Sequence, residues 1–350
     1  MLYIHIPFCD SKCSYCAFNS YVDKFHLKQS YMDALSKQLD YELKNFKTKP
    51  TSLKSVFIGG GTPSTISPEL YEALFEKITP YLAKDAEITS EANPNSATPQ
   101  WIDGMKKLGV NRLSFGVQSF NDQKLKLLNR AHNLHQAKET IKTAKQKGFE
   151  HISLDLIYAT KGDTKELLEH DINEAFKLPI DHISAYALTI EDGTIFESKP
   201  QMSKEDLNLT SWLFNEIERH GFKQYEISNF GTYTSKHNFG YWKYLDYIGL
   251  GCGAVGKKDN KRFYPSTNIE SYIKDPLNIQ VEELSEDDQK IEKIFLGLRS
   301  SVGVNKNILD KDELLKASIL VKEEKLILKN STFYNNNYLL SDEIALFITS

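Results

Sequence analysis

The sequence predicts an α/β chain: a parallel (β/α)6 barrel, closed or nearly closed, followed by a smaller, mostly helical C-terminal domain. Two observations carry this. Over residues 1–230, six short apolar runs alternate with longer amphipathic segments, and repeated βα units of that kind build a parallel sheet. Past residue 230 the alternation stops. The chain of 350 residues is long enough for a barrel of about 250 residues with an appendage.

The strand-like runs lie at 2–6, 55–58, 87–90, 112–115, 151–157 and 182–187, each rich in β-branched and aromatic residues. Between them, residues 30–46 carry Tyr31, Leu35, Leu39, Leu43 and Phe46 at helical spacing behind Ser30 as N-cap. Residues 67–82 and 206–220 read the same way. The expected organisation is a barrel over 1–230, an aromatic and Gly-rich segment over 231–275 that closes it, and a small domain over 276–350. In that last domain, 283–298 reads as a helix, and the tail combines a short helix with strand-like 325–328 in a hairpin.

Lys and Arg number 43 against 47 Asp and Glu, a net charge of −4. No basic surplus argues for nucleic acid, and the patch Lys257-Lys258-Asp259-Asn260-Lys261-Arg262 reads as a solvated loop. No run of 18 apolar residues and no secretory leader pattern is visible, so the expectation is a cytoplasmic protein, not an integral membrane one.

Three of the four cysteines, Cys9, Cys13 and Cys16, fall in a C-x3-C-x2-C pattern directly after the first strand. In a reducing compartment such a cluster suits a soft metal centre rather than disulfides. Zinc, completed by His5 or His26, and an iron–sulfur cluster both remain open, although zinc sites usually draw on two separated ligand pairs and this chain has no second pair. Cys252, between Gly251 and Gly253, reads as a small buried thiol. After the second strand comes Gly59-Gly60-Gly61-Thr62, where the backbone approaches a ligand unhindered, without the Lys of a phosphate-binding loop. Glu91, Gln118, Arg130 and Asp155 lie at or just after predicted strand ends, where a barrel builds its site. Asp155 interrupts an apolar run and needs a partner, whether an internal ion pair, a hydrogen bond or a polar ligand.

The cysteine loop with its preceding Tyr3-Ile4-His5-Ile6-Pro7-Phe8 resembles the signature of the radical S-adenosylmethionine (SAM) superfamily. The phrases Glu91-Ala92-Asn93-Pro94, Asn111-Arg112-Leu113-Ser114-Phe115-Gly116-Val117-Gln118-Ser119 and Tyr225-Glu226-Ile227-Ser228-Asn229-Phe230 resemble the group of oxygen-independent coproporphyrinogen III oxidase and its heme-chaperone relatives. The resemblance implies a partial (β/α)6 barrel and a 4Fe-4S cluster on Cys9, Cys13 and Cys16, with SAM on the open iron. It also implies SAM contacts at Tyr3, Gly60, Gly61, Thr62, Glu91, Gln118, Arg130 and Asp155, with a weaker match at Ala187.

Within that group the oxidase carries a further cysteine two residues after the third, where this chain has Phe18, and an arm ahead of the first strand. Both differences favour the heme-chaperone branch. His237-Asn238-Phe239-Gly240-Tyr241-Trp242 is similar to a motif associated with heme binding in that branch, which implies heme at His237, Tyr241 and Trp242. The plainer alternative is a histidine and aromatic pair closing the barrel edge. The implied function is heme binding and transfer to an acceptor protein, with the cluster and SAM regulating transfer or oligomerisation rather than driving oxidation of a substrate. The alternatives are radical oxidative decarboxylation of porphyrinogen propionates and a zinc-stabilised interaction protein. A homodimer through the sheet edge or the C-terminal domain is compatible with the sequence. One departure from the group stands out: where relatives usually carry a Gly-Leu-Pro-containing turn after the Asp155 strand, this chain reads Ile157-Tyr158-Ala159-Thr160-Lys161-Gly162-Asp163-Thr164, which alters the backbone options of a loop at the active face.

Overall fold

Runs of alternating strand and helix propensity fold as successive βα units in the computed structural model, which describes residues 1–350. Six parallel strands form the scaffold: β1 (Leu2–Ile6), β2 (Leu53–Gly60), β3 (Leu82–Ala92), β4 (Arg112–Gln118), β5 (His151–Tyr158) and β6 (His182–Ala187). Three short strands extend the sheet. β7 (Lys223–Gln224) and β8 (Asn229–Gly231) join antiparallel beyond β6, and β9 (Ile248–Leu250) pairs parallel with β1. The order is β7-β8-β6-β5-β4-β3-β2-β1-β9, with β7 and β9 as free ends. The barrel is therefore partial, and β9 lies inside the segment read from sequence only as aromatic and Gly-rich.

The helices on the outer face are α1 (Lys28–Asn45), α2 (Pro68–Ile78), α3 (Pro99–Lys107), α4 (Asp122–Leu127), α5 (Leu134–Gln146), α6 (Lys165–Phe176) and α7 (Leu207–Arg219); α8 (Lys236–Trp242) follows β8. Their starts are set by side chains that satisfy orphan backbone N–H groups: Thr98, Asn121, Thr164 and Asp206, and Asn133 in a reciprocal box with Gln136. Ser30 does not cap α1 as its sequence position suggested. The helix begins two residues earlier, and the Ser30 hydroxyl donates to the Leu27 carbonyl. α1 buries Tyr31, Leu35, Leu39 and Leu43 in one continuous apolar core that runs from Leu2 to Tyr272.

A second core of Ile294, Leu298, Leu320, Phe333 and Ile344 with their neighbours lies entirely within the last 57 residues. It is wrapped by helices Glu286–Leu298, Lys311–Lys322 and Ser341–Thr349 and by the hairpin Leu326–Lys329 and Thr332–Asn335. The basic patch at 257–262 is a hairpin rather than a free loop. Its charges are answered locally, Lys257 by Asp246, Lys261 by Glu283 and Arg262 by Glu292. No helix is long and apolar enough to cross a membrane.

Candidate functional site

At the C-terminal ends of β1 to β6 the strands open onto a cavity of about 640 Å³. The cysteine loop forms one wall. Its entry is clamped where Tyr21 N–H donates to Pro7 O at 2.7 Å and Cys9 N–H donates to Tyr21 O at 3.0 Å. Cys9, Cys13 and Cys16 all line the cavity. Burial pushes the thiols of Cys9 and Cys16 up from their ordinary range, so metal loading here has to release protons.

The glycine loop after β2 forms the facing wall. Gly61 is required sterically: an added Cβ would lie 2.8 Å from Ile6 O and 3.1 Å from Cys9 Sγ. Gly60 has φ +109°, and a Cβ there would sit 2.4 Å from His5 Nδ1. Thr62 Oγ1 lies 3.4 Å from Cys9 Sγ and accepts from Asn93 Nδ2 at 3.1 Å, joining the two walls.

Two carboxylates face the space between. Glu91 accepts the Gly60 N–H at 3.1 Å. Burial, reinforced by the neighbouring charge of Asp155, raises its pKa to about 8. Desolvation raises Asp155 to about 6, opposed by the hydroxyls of Ser184 and Ser114 and by Arg112 and Arg130. Two acids held above their ordinary range in one cavity favour a cationic ligand, which would restore their ionised forms. Gln118 completes this edge at φ +68°, where β4 loses register with β5. A non-glycine residue in that region stores strain of the kind that collects at functional sites.

Arg130 binds protein groups through both terminal nitrogens of its guanidinium. It donates to Cys13 Sγ at 3.2 Å, Tyr15 Oη at 3.4 Å, Asn93 Oδ1 at 2.6 Å and Gly116 O at 2.8 Å. Its guanidinium thus ties the cysteine loop to the ends of β3 and β4, while Nε is buried without a partner. Asn93 and Tyr15 were not singled out from sequence. Asn93 stands in the quoted Glu91-Ala92-Asn93-Pro94 phrase, which was the available signal.

Gly60, Gly61, Thr62, Glu91, Gln118, Arg130, Asp155 and Ala187 all line the cavity. Tyr3 does not. Its hydroxyl meets His5 Nδ1 at 3.0 Å and its ring stacks on Phe57. His5 is closed to metal on both sides, since Nε2 meets Asn19 O at 2.8 Å. His26 is exposed on a 3₁₀ turn outside the cavity. Cys252 is buried against the Tyr31 hydroxyl and Asn19, also outside the cavity. The donor set is therefore three thiols and no histidine. A set of three thiols without a histidine or a second ligand pair fits a cluster held by three cysteines better than a tetrahedral zinc ion.

The histidine motif lies elsewhere. His237, on α8, is fully buried; Nδ1 meets Ser55 Oγ at 2.9 Å and Nε2 meets Tyr241 Oη at 3.0 Å. Burial pushes its pKa down to about 3, so the ring is a neutral clamp between α8 and β2. In this packing both ring nitrogens are engaged by protein hydroxyls, and the ring lies outside the pocket that Tyr241 and Trp242 line. The physical reason is Glu87 on β3, whose carboxylate accepts from the N–H groups of Lys236 and His237 and from the Tyr233 hydroxyl, each at 2.9 Å, drawing the start of α8 inward. Tyr241 and Trp242 do reach a second pocket, of about 390 Å³, together with Tyr186, Glu226, Ile227, Asn238 and Leu296. Tyr186 lines both spaces.

The family model of the radical SAM superfamily matches residues 3–175. Over 321 residues the chain is 36% identical to the heme chaperone HemW of Bacillus subtilis, covering 87% of this chain and 84% of that protein. It is 39% identical over 265 residues to the heme chaperone HemW of Escherichia coli, covering 73% and 69%. Coproporphyrinogen III oxidase (HemN) from Escherichia coli, a radical SAM enzyme, superposes with a TM-score of 0.82 at 19% identity, covering 100% of this chain and 89% of that one, which shows a shared fold. The chain belongs to the HemW family within the radical SAM superfamily.

Proposed function

We propose that this chain is a heme chaperone: it binds heme, carries a 4Fe-4S cluster and SAM, and passes the heme to an acceptor protein. The observation that carries this reading is the donor set of the cavity, three thiols and no more, with Phe18 65% exposed where the oxidase branch has a further cysteine. Cys9, Cys13 and Cys16 would hold the cluster, leaving one iron for the amino acid end of SAM. When bound, this pair supplies one-electron chemistry. The Gly60-Gly61-Thr62 loop offers SAM backbone groups at close approach, and Glu91 and Asp155 offer carboxylates to its cationic groups. Gln118 and Ala187 line the remaining wall, and Arg130 holds Cys13 in place. Tyr3 acts at one remove, by orienting His5 behind Gly60.

For the heme we assign the second pocket, where the rings of Tyr241, Trp242 and Tyr186 offer apolar faces to a flat macrocycle. Tyr186 would bring the cargo next to the SAM cavity, which supports regulation of heme transfer by the cofactor site. The test is anaerobic reconstitution followed by a heme titration. The expected result is about four irons and four acid-labile sulfides per chain and a saturable Soret band at one heme per chain. Accumulation of protoporphyrinogen on incubation with reductant, SAM and coproporphyrinogen III would overturn the chaperone reading in favour of the oxidase. A colourless, zinc-loaded protein would overturn both.

A further inference from the structure

The second pocket contains two buried acceptors with nothing to accept from. Glu226 Oε2 takes the Ser228 N–H at 3.2 Å, and the Asn229 N–H and side-chain amide lie close enough to lower the carboxyl's pKa, but Oε1 has no partner within hydrogen-bond geometry, and neither has Asn229 Oδ1. The two residues are 1% and 4% exposed, and both line the pocket beneath Tyr241 and Trp242. An unmatched buried acceptor is costly, so the ligand or a proton has to supply the missing donor. No Lys, Arg or His charge acts on Glu226. The titratable groups that face it are the phenols of Tyr186 on β6, Tyr225 one residue before it, and Tyr338 from the C-terminal domain, all raised by burial and therefore neutral.

A porphyrin with ionised propionates brings acceptors, not donors, and would meet an ionised Glu226 with repulsion. We propose that Glu226 takes up a proton when the pocket fills and donates it to one propionate of the heme, while the Asn229 amide turns its NH2 to the same group. The balance is one proton from solvent per heme, ending between two carboxyl oxygens. This rests on the reading of the pocket as the heme site. Burial places Glu226 near pH 7 before any ligand arrives, so the coupling falls in a physiological range.

The experiment titrates the reconstituted protein with ferric heme and with its dimethyl ester, following the Soret band from pH 6 to 8.5. Axial ligation titrates alike for both, and only the acid has a carboxylate to receive the proton. The affinity for heme should fall roughly tenfold per pH unit above pH 7, while that for the dimethyl ester stays level. Glu226→Gln, whose amide donates at every pH, should bind heme with that dependence removed. Parallel pH profiles for heme and dimethyl ester in the parent protein would overturn the proposal whether or not the variant folds. Absence of heme binding at every pH would instead overturn the assignment of the pocket to heme, and the proposal with it.

Discussion

The structure holds the turn after β5 with a buried ion pair that can be broken and measured. Lys124 Nζ on α4 lies 2.6 Å from Asp163 Oδ1, with the two side chains 3% and 2% exposed. Asp163 Oδ2 also accepts the Thr160 N–H at 2.9 Å, which shapes the turn directly. Lys124 further offsets Asp171, whose carboxylate is buried nearby and accepts from the Ser119 hydroxyl and the Phe120 N–H. Lys124→Met removes the one cation and leaves two carboxylates facing each other in a dry site. Breaking such a pair costs about 3–5 kcal/mol. With an unfolding entropy of about 2.1 cal/mol/K per residue, a cooperative chain of this length would melt about 5 °C lower. The assay is a double-mutant cycle by thermal or denaturant melting, with Asp163→Asn and the double variant. The double variant should recover part of the loss, giving a coupling energy of about 1–3 kcal/mol. A Lys124→Met loss within about 0.5 kcal/mol of zero, or strict additivity of the two single changes, would refute the argument that this pair fixes the turn.

Ala159, in the same turn, has φ +59°. Ala159→Gly should therefore stabilise the protein by about 0.5–1 kcal/mol, the relief of left-handed strain less the entropy of a freer unfolded chain; a lower melting temperature would count against it. Cys13→Ala should leave two thiolates and lose most cluster iron, checked by iron and sulfide content. A full complement in that variant would refute the ligand assignment. Glu91 has its folded pKa raised to about 8, so ionising it opposes folding: its contribution worsens as pH rises from the ordinary carboxylate range through 8 and is absent at low pH. Without cofactors, Glu91→Gln should thus melt above the parent at pH 8 and converge with it by pH 5. Parallel melting curves would refute the shift. His237→Ala should cost about 2–4 kcal/mol through the cavity and the stranded Ser55 and Tyr241 groups, while leaving the Soret maximum of bound heme in place. A shifted Soret band would show that the ring reaches the iron after all.

What could be read from the chain ahead of its structure divides by the distance over which the controlling partners act. That the cysteine loop lines a cavity could be expected because its three thiols lie within eight positions, and the glycine loop because close approach leaves only Gly at 60 and 61. The six parallel strands were legible from local apolar runs. Tyr3 and His237 were not, because each is turned by a partner that its local pattern does not reveal. Tyr3 and His5 share a face of β1, but it is Asn19, 14 residues on, that fixes the His5 ring and so engages the Tyr3 hydroxyl. His237 is set by Ser55 and Glu87, which are 182 and 150 positions away. A histidine followed by two aromatics carries the same letters whether its ring faces a ligand or a serine on the neighbouring strand. The buried carboxylate of Glu87 decides between them by pulling the first turn of α8 into the barrel, which swings Tyr241 and Trp242, rather than His237, toward the open pocket. In this packing the last two residues of the motif line the pocket together with Glu226 and Asn229, a few positions upstream in sequence, so a ligand held there would meet Tyr241 and Trp242 before His237.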